Sequence, residues 1–599
     1  MHTLPDNGER YHIIRKTYFS NVISYIIAGL TVSVGSLIDG VIIGQCLGVD
    51  SMAAFGLVSP VFTVFSLFGV IIAFGARKRF TMMIGSGDPD RARGVFTLSV
   101  LTGAGLSVIL MILVLIFATP FCQLLGAKGS AAYLMDKARS YLIAIAFGMP
   151  AMNAVQVMTA FMTIDNDDRL SVISSIVLTV VNIVLDCIVA FAILGDIYEI
   201  GLVTSISYYA ALLVLLLHFR RKERLTRFSL RDIRREDIAP MLAEGTPMGV
   251  GRLANTVRYI ALNQIMAGTA GAVSCIAAFS VQRQADTLLN CFIFSLSDTL
   301  LLLTGILIAE QNRPTLRRLL KTSFRAVWMV VLSVAVLLLF FSTQFASIFI
   351  RNDSGEAMIY AADAVRCYAL GMPLYALNHI FNAYSEGREK IILSFMLKLC
   401  SEGGLIVLSA IALLPMAGIQ AVWIAFPVSQ AIQLLLTGLV IVVQNSRLRL
   451  KPANFWKWYM ALPEDFDVPK ADRIDCTITS HEQVIELYHA ARDFCREHGC
   501  DERRKYLISL AVEEMATSTV QNGFRPGKHN SIDMRVLKKG DDYIVRLRDD
   551  CQIFDPVKQL QLYDKNVPLH HMGLRMVIAS ARDVRYTTIL DLNNLVIRI

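Results

Sequence analysis

The chain has 599 residues, of which 54% are hydrophobic and 18% are charged, with a formal net charge of +8. This composition is too apolar for an ordinary soluble protein and indicates a membrane protein. The excess of basic residues is concentrated in a few loops, as expected at a membrane surface, so nucleic-acid binding is not needed to explain it. The eleven cysteines lack metal-ligand spacing, and we interpret them as reduced packing residues.

The apolar runs have the length that a helix needs to cross a bilayer. Hydropathy predicts about twelve spans, the first centred near residue 32 and the last near residue 430. Alternate connections are basic, so the positive-inside rule places both termini in the cytoplasm, at a bacterial-type inner membrane. These basic connections are "GARKRF" near residue 78, the segment 218–237, "RPTLRRLLK" at 313–321 and "RLRLK" at 447–451.

An internal repeat divides the predicted spans into two halves. The segment "GMPAMNAVQVMTAF" at 148–161 recurs as "GMPLYALNHIFNAY" at 371–384, and "AAF" at 53–55 recurs at 277–279 with nearly the same offset. Duplication is common in transporters and predicts two six-helix lobes of the same orientation, residues 1–225 and 226–445. Under this offset, Asp39 in the first helix aligns with Asn263.

Four motifs carry a family resemblance: "LIDGVIIGQCLGVDSMAAFGLVSP" in the first two helices, "GSGD" at 85–88, "GMP" at 148–150 and "VVNIVLD" at 180–186. With them, residues 15–445 resemble the multidrug and toxic compound extrusion (MATE) transporters. The resemblance implies a polytopic α-helical fold of twelve transmembrane helices in two pseudo-symmetric lobes. It also implies export of small drug-like or metabolite substrates in exchange for H+ or Na+ by alternating access. Transport then requires no cofactor, and its partners are the substrate and membrane lipids.

A carboxylate in the middle of an apolar span calls for an explanation, because charged groups are costly there. Asp39 is such a group, and Asn182 and Asp186 lie four residues apart on one helix face. The MATE resemblance implies that these residues converge with Thr204 as the ion-coupling site of the first lobe. Oxygen ligands suit Na+, whereas two carboxylates in an apolar pocket suit a proton carrier, so both ions remain open. An acid that merely joins two helices is the structural alternative.

The second lobe departs from the MATE pattern, because Asn255 stands where many members have Glu. Three arginines nearby suggest a cavity for an anionic or zwitterionic substrate. The alternative is that they form buried ion pairs with Asp286 and Asp298. The candidate substrate-cavity residues are Asn153, Arg252, Asn255, Arg258, Asn263 and Arg283.

After residue 445 the composition becomes mixed and charged, which predicts a linker at 446–471 and a cytoplasmic domain at 472–599. Two amphipathic helices and the hairpin "SIDMRVLKKGDDYIVRLRDDC" predict an α/β two-layer sandwich. The segments "AVEEMATSTVQNGF", "RDDCQIFDP" and "HHMGLRM" resemble the three boxes of GHKL, anti-sigma-factor-type ATPase domains. We call residues 472–599 the tail.

The tail differs most from the GHKL pattern at the residues that carry out nucleotide chemistry. Glu514 matches the general base and Asp549 the acid that binds adenine, but Ser518 replaces the magnesium-binding Asn. Because Ser is a weaker ligand and glycines are missing from the phosphate turn, we expect hydrolysis to be lost. Two alternatives remain, binding of ATP or ADP without turnover and a nucleotide-free module with a regulatory protein partner. The candidate nucleotide residues are Glu514, Ser518, Asn522, Asp549 and Gly573.

The leading hypothesis is a secondary antiporter, not an enzyme, whose tail regulates transport by docking on the basic segment 218–237. One alternative is a lipid-linked precursor flippase of the same superfamily, which the arginines of the second lobe favour. Another is a membrane-anchored anti-sigma-like kinase or sensor. No G-x-x-x-x-G-K-[ST] motif occurs in the sequence, which disfavours a P-loop pump.

Overall fold

The membrane region is almost entirely helical, because a helix satisfies its own backbone hydrogen bonds within an apolar run. The structure is a computed structural model. It describes residues 12–85, 88–162, 167–220, 226–269, 271–351, 355–448, 455–524, 530–551, 572–589 and 592–599.

Local sequence signals set the helix ends of the first lobe. At α3, Asp88 accepts a hydrogen bond from the backbone nitrogen of Arg91 at 3.1 Å, and Pro89 occupies the first helical position. The described helices are α1 (His12–Ile42), α2 (Val49–Gly85), α3 (Pro89–Ile116), α4 (Ala118–Leu125), α5 (Met135–Ala146), α6 (Met149–Met162), α7 (Asp168–Ile188) and α8 (Ile197–Leu216).

The second lobe continues with another set of helices, interrupted by a π-helical turn at Cys400–Gly404. Asn312 caps α11 by accepting a hydrogen bond from the backbone nitrogen of Thr315 at 3.2 Å. The helices are α9 (Ile238–Ala267), α10 (Ala272–Ala309), α11 (Arg313–Ala326), α12 (Leu332–Phe340), α13 (Ser342–Phe349), α14 (Glu356–Gly387), α15 (Ile391–Leu399), α16 (Leu405–Ala417) and α17 (Ala421–Arg447).

The helices confirm a multi-pass membrane fold. Within the described ranges, seven helices are long and apolar enough to cross a membrane, or eight if the bent pair α5 and α6 counts as one span. One of these segments, Ile391–Arg447, combines α15, α16 and α17. Helices α1, α9 and α14 also have the length to cross a bilayer, with 31, 30 and 32 residues. The number of twelve spans stays a prediction.

The two lobes touch through close helix crossings. Helix α2 of the first lobe packs on α9 of the second, and α1 packs on α10. At the α2–α9 crossing, a Cβ atom at Gly75 would collide with the carbonyl oxygen of Met241, and one at Gly245 with that of Ile71. Small residues thus allow the two backbones to meet directly, as is common between membrane helices.

The tail is a two-layer domain with one antiparallel sheet in the order β1-β2-β3-β5-β4. Helices α19 and α20 cover one face, where residues such as Met534 and Val545 pack with Val512 in a separate hydrophobic core. The hairpin that the sequence predicts is formed by β2 and β3. The elements are β1 (Arg473–Ile478), α19 (His481–Glu497), α20 (Glu502–Gly523), β2 (Ile532–Lys539), β3 (Asp542–Asp549), α21 (Met572–Ser580), β4 (Asp583–Ile589) and β5 (Leu592–Arg598).

The predicted linker contains a short helix, α18 (Phe455–Met460), that is packed on the second lobe. The rings of Trp456 and Tyr459 contact that of Phe324 in α11, with centroid distances of 5.3 and 5.2 Å. Tyr384 in α14 donates a hydrogen bond to the carbonyl oxygen of Met460 at 2.7 Å. The start of the linker is therefore held against the membrane region.

Candidate functional site

Three of the four residues predicted for ion coupling line one cavity of about 260 Å³ in the first lobe. Asp39 comes from α1, Asn182 from α7 and Thr204 from α8, and all three line this cavity. The side chains of Asp186 and Asn182 both contact the carboxyl group of Asp39. The structure thus brings the four predicted residues together, with Asp186 behind Asp39 and completely buried.

The contact between Asp39 and Asp186 has a chemical consequence. Within the described residues, neither carboxyl oxygen of Asp186 has a hydrogen-bond donor, and Oδ1 of Asp39 also lacks one. Two buried carboxylates repel each other unless something positive lies between or beside them. This arrangement can therefore bind and release a cation, either a proton shared by the two groups or a metal ion.

Arg283 brings a positive charge from the second lobe to the same cavity. It lies on α10, and its Nη2 donates a hydrogen bond to the backbone oxygen of Ser59 at 3.3 Å. Its guanidinium stacks over the ring of Tyr259, 4.7 Å from the centroid. The sequence suggested this residue for a substrate cavity, whereas it lines the cavity of the predicted ion site.

Arg258 is instead part of a buried cluster in the second lobe. Asp286 accepts hydrogen bonds from the hydroxyl groups of Tyr259 and Tyr368, both at 2.8 Å. The Arg258 guanidinium lies 3.8 Å from the same carboxylate, and its side chain is only 6% exposed. Arg258 therefore forms a buried ion pair, which was the alternative to a role in substrate binding.

A larger cavity, of about 470 Å³, is lined mainly by the second lobe and partly by α2 of the first. Of the six predicted substrate-cavity residues, Arg252 and Asn255 line it, and Arg252 donates a hydrogen bond to the hydroxyl group of Ser66 at 3.5 Å. Asn153 lies elsewhere, where it donates to the hydroxyl group of Ser107 at 2.7 Å. Asn263 is buried near the backbone of Gly126. The six residues are thus divided among several places and do not form one site.

The large cavity also contains charged residues that the sequence analysis did not single out. Glu402 accepts hydrogen bonds from the hydroxyl group of Tyr375 at 2.8 Å and from Nε2 of His379 at 2.9 Å. The π-helical turn at Cys400–Gly404 holds this carboxylate at the wall. An acid within an apolar run was the available signal, the same one that identified Asp39. Glu386 and Lys398 also lie in the wall, together with Arg252 and with Asp298, which the sequence suggested as an arginine partner.

The tail brings two of its predicted nucleotide residues into contact. Gly573, at the start of α21, lies directly against the carboxylate of Glu514 on α20, where a Cβ atom would collide with it. Ser518 lies one helical turn further along α20. The side chain of Asn522 and residues 552–571 lie outside the described part of the chain.

Asp549 ends strand β3 and is 3% exposed. Its Oδ1 accepts hydrogen bonds from the Asn593 side chain at 2.8 Å and from the backbone nitrogen of Cys551 at 2.9 Å. Burial raises the pKa of Asp549, and these two hydrogen bonds offset part of that effect. The carboxyl group is thus fixed in position, as a group that recognises a ligand needs to be.

The other face of the tail sheet contacts the membrane region. Arg548 forms a buried ion pair with Glu310, at the connection between α10 and α11, and Arg546 lies 3.4 Å from the same carboxylate. Asp550 pairs with Lys16 on α1. The sequence predicted that the tail docks on the basic segment 218–237. In the described part of this segment, Asp237 pairs instead with Arg79 of α2 and Arg91 of α3.

Family models cover most of the chain. The MatE model matches residues 25–188 and 247–411. The model of the histidine kinase-like ATPase domain matches residues 479–599.

Individual relatives agree with these matches. The probable multidrug resistance protein YoeA of Bacillus subtilis (strain 168) is 21% identical over 427 residues, covering 69% of this chain and 90% of its own length. An inward-facing multidrug resistance MATE family transporter of the MOP superfamily has a TM-score of 0.63 at 20% identity, over 70% of this chain and 96% of that one. A MOP superfamily transporter from Pyrococcus furiosus, described as having a binding pocket of reverse polarity, has a TM-score of 0.57 at 21% identity, over 75% and 100%. At these identities, the structural likeness establishes the fold.

Proposed function

Because the chain belongs to the MatE family and ends in a histidine kinase-like ATPase domain, we propose that it is a secondary antiporter with a regulatory tail. It exports small organic substrates in exchange for H+ or Na+ by alternating access. The observation that carries this proposal is the contact between Asp39 and Asp186 beside Asn182 and Thr204 in one cavity of the first lobe.

The carboxylate pair supplies the coupling chemistry. When the pair is empty, two negative charges lie close together in an apolar surrounding, which is unfavourable. Binding of the coupling ion neutralises the pair and changes the interactions between α1 and α7. A ligand can shift a conformational equilibrium only by its difference in affinity for the two states. Ion binding here provides such a difference because it changes the charge at the centre of the lobe.

The large cavity of the second lobe supports a substrate that carries both charges. Its wall contains the basic Arg252 and Lys398 and the acidic Asp298, Glu386 and Glu402. A zwitterionic or modestly cationic organic molecule would find partners for both ends. The polyanionic headgroup of a lipid-linked precursor would meet three carboxylates, which disfavours the flippase alternative.

The tail supports a regulatory role more than a kinase role. Its sheet face is joined to α1 through Lys16 and to the α10–α11 connection through Glu310, so it contacts both lobes. Ser518 occupies the position of the magnesium ligand, and metal ions are central to phosphoryl transfer. The tail then binds ATP or ADP without turnover, or takes a regulatory protein partner, and either ligand biases transport through this docking.

The same contacts support a proposal for the membrane orientation. The tail lies at the end of the helix bundle where α1 begins and α11 begins. The basic connections lie at this end as well, including Arg79 and Arg91. We infer that this end is cytoplasmic, that both termini lie there, and that the protein spans the inner membrane of a bacterial-type cell.

The proposal is tested with purified protein in liposomes under an imposed pH or Na+ gradient, with a chemically diverse substrate panel. Asp39→Asn is expected to reduce the rate of gradient-driven transport at least tenfold, while insertion and thermal stability remain near wild type. The matched control is Asp50→Asn, which neutralises an exposed acid at the start of α2 and is expected to transport normally. Gradient-driven transport by correctly inserted Asp39→Asn protein would contradict the site assignment.

A further inference from the structure

Arg283 occupies an unusual position between the two lobes. It belongs to α10 of the second lobe, yet it lines the cavity that contains Asp39 in the first lobe. It also lines a small cavity on its other side, next to Arg258, Tyr259 and Asp286. The guanidinium is therefore part of the wall between the predicted ion site and the buried cluster of the second lobe.

The charge of Arg283 is held in place without a carboxylate of its own. Its described partners are a backbone oxygen, that of Ser59, and the face of the Tyr259 ring. Its Nη1 is buried and has no hydrogen-bond partner among the described residues. Asp286 interacts electrostatically with Arg283, but its carboxylate is bound by Arg258 and by two tyrosine hydroxyl groups.

The Arg283 charge, which also interacts electrostatically with Asp286, lies in the wall of the cavity that Tyr141 shares with Asp39. The Tyr141 side chain is buried in the same cavity and interacts electrostatically with Asp39, Asp186 and Arg283. Among the described residues, the titratable or charged side chains that face the carboxylate pair are Tyr141 on α5, Cys187 on α7, Tyr208 on α8 and Arg283 on α10. Arg283 is the member of this set that carries a permanent positive charge.

We propose that Arg283 is the internal counterion of the Asp39–Asp186 pair, and that it makes this transporter proton-coupled and insensitive to Na+. A fixed guanidinium in the cavity repels a second full cation, so Na+ binding is disfavoured. A proton is affected less, because it is shared between the two carboxyl oxygens and forms neutral groups. This inference rests on the proposed function of the first-lobe site and adds the identity of its ion.

The same charge also connects the ion site to the lobe arrangement. When the pair loses its proton, its negative charge attracts a guanidinium that belongs to the other lobe. When the pair is protonated, that attraction weakens. Asp39 and Asp186 are both buried, and charges inside a protein are screened less than in water. Arg283 is thus a positioning residue that couples the protonation state of the first lobe to the position of the second.

The test uses the full-length protein in liposomes and in detergent. For the wild type, a pH gradient is expected to drive transport, a Na+ gradient is expected to have no effect, and Na+ is expected to give the same melting temperature as choline at equal ionic strength. For Arg283→Gln, we expect Na+ to stabilise the protein against heat. We also expect the pH profile of residual transport to move to higher pH by about one unit, because the proton is harder to remove without the neighbouring charge.

Arg283→Lys is the matched variant, since it retains the charge, and it is expected to keep the wild-type ion preference and pH profile. Na+-driven transport or Na+ stabilisation of the wild type overturns the inference even if Arg283→Gln does not fold. An unchanged pH profile in folded Arg283→Gln protein also overturns it. If the wild type shows no ion coupling, or Asp39→Asn transports normally, the proposed function itself fails.

Discussion

Asp549 is a buried carboxyl group that is poorly suited to its surroundings at neutral pH. Burial raises its pKa, with partial compensation from Asn593 and the backbone of Cys551, so the folded tail holds this proton more tightly than the unfolded tail does. The free energy of unfolding therefore falls as the pH rises through the folded-state pKa. The adenine-binding role that the motif of Asp549 resembles stays a prediction, and an unfavourable burial of this kind is what such a role would explain.

Asp549→Asn is expected to remove this loss of stability, because an amide can accept the same hydrogen bonds without a charge. Amide hydrogen exchange of β3 and β5 in the full-length protein should become slower at about pH 7 and stay unchanged near pH 4. Asp541→Asn, in the exposed turn before β3, serves as the control. Faster exchange in Asp549→Asn at neutral pH would mean that the ionised carboxylate stabilises the tail.

The crossing of α2 and α9 is the element that connects the lobes near the proposed cytoplasmic side. Gly245 allows the α9 backbone to touch the carbonyl oxygen of Ile71, which cannot move without moving α2. Gly245→Ala is expected to separate the helices at this end, with a cost of about 1–3 kcal/mol, and to favour an inward-open arrangement. Spin labels placed on the two helices should report a longer distance and a broader distribution.

The matched control is Gly305→Ala in α10, where a Cβ atom meets nothing within 4 Å. This change is expected to be neutral or to stabilise the helix by up to about 1 kcal/mol. If Gly245→Ala leaves both the interhelical distance and the melting temperature unchanged, the crossing is more tolerant than its backbone contact indicates.

The sequence predicts parts of the site and not others, for physical reasons. Asn182 and Asp186 share a face because of helical periodicity, and an acid in an apolar span identifies Asp39. Glu402 gives the same signal, but its hydrogen-bond partners Tyr375 and His379 come from another helix. The roles of Arg258 and Arg283 could not be separated from sequence, because they differ only in which partners the fold brings to each.

At the scale of the whole molecule, the sequence pattern does not indicate which residues dock the tail on the membrane region. Arg546 and Arg548 alternate along β3 with residues of the tail core, as solvent-facing residues of a sandwich would. Only the folded chain brings them to Glu310. Asp549 lies between Arg548 and Asp550 at the end of the strand, so the predicted adenine-binding residue is the chain neighbour of both docking residues.

Glu310→Gln is expected to loosen the tail, because it leaves Arg546 and Arg548 without their carboxylate partner, a loss of about 3 kcal/mol for a buried pair. Limited proteolysis between α18 and β1 should become faster, and any effect of ATP or ADP on transport should be lost. Glu356→Gln, in the exposed first turn of α14, is the control. Unchanged proteolysis together with a retained nucleotide effect would show that the tail acts without this contact.

The anchored start of the linker has a further consequence for how the tail acts. Because Arg388 and Tyr384 hold the backbone of Ala461 and Met460, only a short stretch leads to β1 at Arg473. A short tether gives the tail an effective local concentration in the millimolar range. Docking contacts that would be too weak between separate proteins are then sufficient, and under the proposed regulation each transporter would respond to its own tail irrespective of how many copies the membrane contains.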